Sequence, residues 1–364
     1  MCNILVLTNS VAGLHCFRKE VMKAIVDAGY TLYIAFPDKD ERAEYFWSIR
    51  CKYVDIPFNR RGMNPIKDFK LIVDYVKVIK KINPIAVLTY TIKPNVYGGM
   101  ATAWCKVPLI ANVTGLGDSL ENKGVLQKLV VTLYHLGLRK AKMVFFQNGA
   151  NRQFCIAHKI VYPEQTKLLP GSGVNTKYHT YQEYPVDESY IKFLFIARLL
   201  KDKGTDEYFE AAKEIKAKYP HTEFQILGAV EGNYEKKLAE FVKAGTINFL
   251  GKTSDVRPYI GKVHCTIMPS YHEGLSNANL ESAANGRPVI TTNVSGCKET
   301  VEDGVTGYLC EARSTKSLIG AVEKFIKLPY EQKIQMGRAG REKVEKEFNR
   351  KIVIDKYLGE IKNL

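Results

Sequence analysis

Residues 269–286 read P-S-Y-H-E-G-L-S-N-A-N-L-E-S-A-A-N-G, directly after an apolar run from Val263 to Met268 that reads as a buried strand. Glu273 falls just past the strand. Glu281 falls inside a short helix, opened by the capping residue Ser276 or Asn277 and closed by Gly286. Strand, tight turn and helix in this order form the unit of an α/β sheet, so the passage decides the fold class. The same order aims bare backbone N–H groups at whatever lies above the strand end, and such a site favours phosphate. A carboxylate at the rim and a second one inside the helix can then hold hydroxyls on either side of that phosphate.

Moving outward, Lys192 to Ala197 is another apolar run (F-L-F-I-A), and it ends in R-L-L-K-D-K-G. Arg198 and Lys203 stand at the two ends of that loop, and Gly204 permits a sharp exit into the next helix. The guanidinium can grip a diphosphate bidentately and the ammonium can act as a point charge. Sugar, diphosphate, ribose and base in sequence describe the ligand that these groups suit, a nucleotide sugar. The run A-R-L-L-K-D-K-G, then E-G-L-S-N-A-N-L-E, then R-P-V-I-T-T-N-V-S-G-C-K-E-T-V-E-D-G-V-T-G-Y-L resembles the pattern of family 4 glycosyltransferases over about residues 190–310. The resemblance implies a retaining, metal-independent enzyme of the GT-B architecture, with two facing Rossmann-like, doubly wound parallel-sheet domains and a C-terminal helix crossing back to the first. It implies Glu281 on the ribose hydroxyls and Glu273 on the donor sugar. The backbone of Leu275, Ser276 and Asn277 would lie on phosphate and sugar, and Gly13 near the donor phosphates.

The first half resembles a narrower group. T-Y-T-I-K-P-N-V-Y-G (89–98), N-V-T-G-L-G (112–117) and H-C-F-R (15–18) are similar to bacterial transferases that extend undecaprenyl-diphosphate-linked sugars in capsule, O-antigen or N-glycan assembly. Many family members carry a histidine after a first-domain strand, and N-V-T-G-L-G has none. Thr114, Lys93 and Asn95 are the candidates for that side of the site, with Arg18 and His15 in the loop 10–18. Thr253, in G-K-T-S-D (251–255), is expected beside the nucleotide base.

Strand-like runs alternate with helical patterns from Ile4–Leu7 onward, which predicts parallel sheets with helices on both faces. The turn-rich stretch 170–188 reads as the linker. The expected division is 1–178, with a C-terminal helix at about 345–364, for the acceptor domain, and 189–340 for the nucleotide-sugar domain.

At 364 residues two domains are the natural count, and 46% hydrophobic with 25% charged residues is ordinary globular composition. The net charge of +15 sits in the first half: residues 1–180 carry 25 Lys and Arg against 12 Asp and Glu, and the remainder 28 against 26. An anionic partner for the first domain follows. The helical pattern G-V-L-Q-K-L-V-V-T-L-Y-H-L-G-L-R-K (124–140), very apolar and basic at both ends, suits an anionic inner-membrane surface as well as a core. No run is long enough to cross a bilayer, and M-C-N-I-L-V-L-T-N reads as a strand, not a leader. Eight scattered cysteines without a C-x-x-C pair suggest reduced thiols. The expected place is therefore the cytoplasm, peripheral on the inner membrane.

Three motifs are decoys. G-K-T at 251–253 lacks the P-loop glycine, Thr246 standing in its place. G-L-G-D-S-L at 115–120 has Leu120 at the third glycine of a dinucleotide fingerprint. D-K-D at 38–40 lies in a charged loop, so no metal or other cofactor is expected. A sugar-nucleotide epimerase of similar shape and a nucleic-acid-binding protein are the rival readings. The second lacks any recognition motif, so no nucleic-acid partner is expected.

Overall fold

The computed structural model describes residues 2–37, 40–58, 64–116, 124–187 and 189–364. The segments 38–39, 59–63 and 117–123 lie outside it, and with them Asp38, Arg60, Arg61, Lys123 and most of the G-L-G-D-S-L motif.

The chain divides into two compact units, Met1–Ser172 with Lys351–Leu364, and Gly173–Arg350. In the first, strands β1 (Asn3–Leu7), β2 (Thr31–Phe36), β3 (Lys52–Asp55), β4 (Ala86–Tyr90), β5 (Leu109–Val113), β6 (Met143–Phe146) and β7 (Thr166–Leu168) form one parallel sheet in the order β3-β2-β1-β4-β5-β6-β7. Alternation along β1 loads both faces: Leu5 and Leu7 join one core with Val87 and Tyr134, and Ile4 and Val6 join the other with Leu88 and Phe145. The last helix, Arg350–Lys362, completes that second core through Val353, Tyr357 and Ile361.

In the second unit β8 (Ile191–Ile196), β9 (Thr222–Leu227), β10 (Ile247–Phe249), β11 (Cys265–Met268), β12 (Val289–Thr292) and β13 (Gly307–Cys310) pair in the order β10-β9-β8-β11-β12-β13. Both sheets therefore reverse their strand order beside the first strand, at β1/β4 and at β8/β11. Crevices for ligands form at the carboxyl ends of strands at such switch points. The loops holding Arg198 and Glu273 leave β8 and β11.

The stretch read as a linker is instead a strap on the second unit. Arg287, fully buried, donates to the carbonyls of Gln182 (2.9 Å) and Glu183 (2.7 Å) as well as Gly261 (2.9 Å) and Ile260 (3.2 Å). Tyr184 donates to His264 O at 2.9 Å, and Asn285 Nδ2 to Thr180 O at 3.0 Å. Turn-forming composition marks irregular backbone, not loose backbone. The chain leaves this unit only at Arg350. There Arg350 N donates to Val174 O (2.9 Å), and the left-handed Gly173 lies where a Cβ would come within 2.7 Å of Arg350 Cα.

Candidate functional site

The loop after β8 runs Arg198 to Lys203 and closes in a short 3-10 turn, Lys201–Lys203. Gly204 then takes φ 72, and a Cβ there would stand 2.1 Å from Pro269 O. Only glycine lets this turn lie against the end of β11, and the close approach delivers Lys203 to Glu273. Lys203 Nζ lies 2.8 Å from Glu273 Oε1 and 3.6 Å from Asp202 Oδ2. Burial works against the ammonium, but the Glu273 carboxylate and Asp202 outweigh it and raise the Lys203 pKa. Ser270 Oγ also donates to Glu273 Oε1, at 3.1 Å.

The motif S-G-C-K-E has a structural reason. Gly296, at φ 88, packs on the Glu273 turn so closely that a Cβ would fall 2.2 Å from Glu273 O. Its carbonyl accepts from Ser276 N at 2.7 Å, and its own N–H donates to Glu299 Oε2 at 2.7 Å. Ser276 caps the helix Asn277–Ala284 through its side chain. Leu275 is buried in the core, so its side chain is not available to a ligand.

Glu281 lies on that helix. Its side chain is 23% exposed, yet protein surrounds it on most sides, as in a recess. Burial raises its pKa from 4.5 to about 7, with Arg350 pulling it down and Asp255 pushing it up. His179 Nε2 stands 4.0 Å from Glu281 Oε1. Burial, with Arg257 and Arg350, outweighs the hydrogen bond that His179 Nδ1 donates to Asn285 Oδ1 and lowers the His179 pKa, so the imidazole is neutral at pH 7. Thr253 holds the neighbouring turn: its hydroxyl accepts from Asp255 N and donates to Asp255 O, both at 3.1 Å. Asp255 grips Arg257 at 2.7 and 2.8 Å, and the Arg257 guanidinium lies 3.6 Å over the Tyr178 ring. None of His179, Asp255, Arg257 or Arg350 is legible as a site residue in the sequence, because they arrive from three distant segments, Asp255 and Arg257 sharing one.

Arg198 sits apart from the Lys203–Glu273 pair. Its Nη1 bonds Glu231 at 3.1 and 3.2 Å in a half-exposed ion pair across the β8 and β9 loops. An exposed pair of this kind is weak, so a phosphate can compete for the guanidinium.

In the first unit the loop 10–18 is a helix. Ser10 caps Val11–Asp27 by accepting from Gly13 N at 3.1 Å, so Gly13, His15 and Arg18 are helical residues. Gly13 has ordinary helical geometry and room for a Cβ, so the turn itself does not demand glycine there. Lys93 is tied to Asp68 at 2.9 Å, both largely buried. Asn95 is spent on the sheet: it accepts from Thr89 Oγ1 (2.8 Å) and donates to Asn112 O (2.9 Å). Thr114 is exposed just past β5. Arg18 is buried and points at Tyr90, its guanidinium carbon 5.8 Å from the ring centroid. Of the D-K-D residues, Asp40 is described, and Arg42 binds it at 2.7 and 2.8 Å. Among the described residues no group of three or more His, Cys, Asp or Glu could hold a metal ion.

Two parallel sheets with switch points at β1/β4 and β8/β11, and a last helix belonging to the first unit, define a GT-B protein. The family model "Glycosyl transferases group 1" matches residues 180–343 and "Glycosyl transferase 4-like" matches 4–148. The chain belongs to these glycosyltransferases. It is 26% identical, over 97% of its length and 96% of the relative's, to the N,N'-diacetylbacillosaminyl-diphospho-undecaprenol alpha-1,3-N-acetylgalactosaminyltransferase of Campylobacter jejuni. It is 25% identical to the capsular polysaccharide biosynthesis glycosyltransferase CapM of Staphylococcus aureus, over 81% of this chain and 80% of that one. Anabaena HepE, solved in complex with UDP and glucose, has the same fold with TM-score 0.82 at 16% identity, each chain covered over 100%.

Proposed function

We propose that this chain is a retaining transferase that moves a hexose or N-acetylhexosamine from a nucleoside diphosphate sugar, with UDP as the expected nucleotide, to a lipid-linked saccharide. The second unit takes the donor. Lys203 and Arg198 neutralise the diphosphate as the bond from the anomeric carbon to the phosphate oxygen breaks and leaves its electron pair on that oxygen. The acceptor oxygen bonds to the anomeric carbon on the same face, and its proton passes to the departing phosphate. This charge is greatest in the transition state, where preorganised cations and N–H groups act most strongly. Glu273 holds the donor sugar's hydroxyls, Glu281 holds the ribose, and no metal enters the step.

The observation that carries this reading is the Lys203–Glu273 pair at 2.8 Å, set at the switch point of the second sheet beside the capped helix that bears Glu281. The acceptor class is supported by the Campylobacter relative, and the nucleotide by the UDP bound in HepE. The first unit's basic excess supports an anionic membrane surface as the place of reaction. A screen of nucleotide sugars against polyprenyl-diphosphate-linked monosaccharides, reading released nucleoside diphosphate, tests it. Arg198→Ala and Glu281→Ala should each remove most turnover while leaving a folded protein. Donor conversion without an acceptor would favour an epimerase instead.

A further inference from the structure

The first unit contains a cluster of unmatched polar groups that the donor chemistry leaves unused. It lies at the carboxyl edge of the sheet, where the order turns between β1 and β4. Helix Val11–Asp27 follows β1 and supplies Arg18, whose side chain is only 2% exposed. Arg18 Nη1 donates to the Phe17 carbonyl at 2.9 Å, while Nε and Nη2 are buried and have no hydrogen-bond partner. These two nitrogens form the side-on edge of the guanidinium, the edge that binds two oxygens of one phosphate or carboxylate.

The neighbours have unmatched atoms too. Tyr90, under the guanidinium, ends β4 and is in register with Asn112 of β5. Asn112 Nδ2 donates to the Tyr357 hydroxyl at 2.8 Å, but its Oδ1 has no partner, and the Tyr90 hydroxyl, close to that of Tyr357, makes no well-formed hydrogen bond. Buried charge without a partner is destabilising, so such a group persists where function requires it. The next residue, Thr91, has φ 74, a strained conformation for a β-branched residue.

We propose that Arg18 is the anion-binding residue of the first unit, its Nε–Nη2 edge taking a phosphate group of the acceptor's diphosphate with the Tyr90 hydroxyl beside it. This rests on the lipid-linked acceptor reading above. Because the edge is buried, binding requires a local opening of the packing around it. Lys93 is held by Asp68 at 2.9 Å and, as an ammonium, offers a point charge and not a two-pronged edge.

The test compares wild type, Arg18→Gln and Arg18→Lys in the full chain. Two measurements are made: calorimetric titration with inorganic pyrophosphate, and initial rates with a polyprenyl-diphosphate-linked sugar and with an alkyl glycoside of the same sugar. With the donor site filled by saturating UDP, Arg18→Gln should abolish the pyrophosphate binding that remains. It should also lower the preference for the diphosphate-linked acceptor by about 10- to 100-fold, the size of a lost charge-assisted pair, through KM more than kcat. Arg18→Lys, with charge but no fork, should fall between. Equal losses on both acceptors in a folded variant would mean that Arg18 only supports packing, and would overturn the proposal. Arg18-dependent pyrophosphate binding with an unchanged acceptor preference would assign the site to free phosphate and overturn the acceptor role. If no lipid-linked acceptor reacts with any donor, the function proposed above fails, and the titration still decides whether Arg18 binds an anion.

Discussion

Glu281 shows how one carboxyl can trade stability for binding. Its folded pKa, about 7, lies above its ordinary 4.5, so the folded chain holds the proton more tightly than the unfolded one across that window. Its contribution is thus most favourable below about pH 4.5 and declines as the pH rises through about 7. By then the ionised group costs on the order of 3 kcal/mol. The groups facing it do not change this sign: His179 is neutral near pH 7, Arg350 favours ionisation, and Asp255 opposes it. Ribose hydroxyls donate most strongly to the ionised carboxylate. An intact nucleotide sugar has no phosphate ionisation near neutrality, so donor affinity should rise between about pH 6 and pH 8 as the donor draws the proton off Glu281. Glu281→Gln should flatten that rise and weaken donor binding at pH 8 by about 10-fold or more, while stabilising the free protein there by about 1–3 kcal/mol. Calorimetric donor titrations and thermal unfolding at the two pH values measure both effects. A pH-independent wild-type affinity, with no gain in stability on substitution, would remove Glu281 from the ribose.

At the scale of elements, two glycine turns hold the donor groups in place. Gly204→Ala meets both a left-handed φ of 72 and Pro269 O at 2.1 Å, so the turn must shift and take Lys203 away from Glu273. Gly29→Ala makes a control: φ is 90 there, but nothing lies within 4 Å of its Cβ. The control should cost about 1–2 kcal/mol and spare kcat. Gly204→Ala should cost more than that and lower kcat by about 100-fold, as expected for misplacing a catalytic group. Equal kcat in the two variants would show that the turn does not position Lys203. These turns were legible in the sequence because the signals are local: an apolar run, a glycine, a capping serine. For the same reason the strands at Thr31–Phe36 and Leu109–Val113 fall where the apolar runs place them. β7 and β13, three and four residues long, are too short to display a period. The start of helix Val11–Asp27 was hidden because V-A-G looks like a loop until Ser10 is seen to cap it. Arg287, which binds the strap, and the Arg198–Glu231 pair depend on contacts between distant segments, and residue spacing carries no trace of those.

For the whole molecule, charge and apolar exposure coincide in the first unit. No helix among the described residues is long and apolar enough to cross a membrane. Helix Val125–Leu138 exposes Val125 (86%), Leu126, Leu129 and Leu136, with Lys128 on the same helix and Arg139 and Lys140 at its end. The first turns of helix Pro65–Ile82 expose Ile66 (83%) and Phe69 beside Lys67 and Lys70. Apolar side chains interleaved with lysines match a bilayer surface bearing anionic lipid, since the former enter the headgroup boundary while the latter neutralise phosphates. Two contributions then add, and they respond to different changes. Raising salt from about 0.1 M to 1 M shortens the screening length from about 10 Å to about 3 Å and should strip off the electrostatic part. The double substitution Val125→Ser with Leu129→Ser should remove about 1.5–3 kcal/mol per side chain of the apolar part, lowering partition into vesicles by at least about 10-fold. Sedimentation with anionic and with zwitterionic vesicles separates the two. Binding should require anionic lipid, weaken with salt, and fall in the double variant whose fold and donor affinity are intact. Binding that ignores salt, or no binding to anionic vesicles, would leave these side chains as ordinary exposed surface, and the acceptor would then have to reach the enzyme without a membrane contact from this unit.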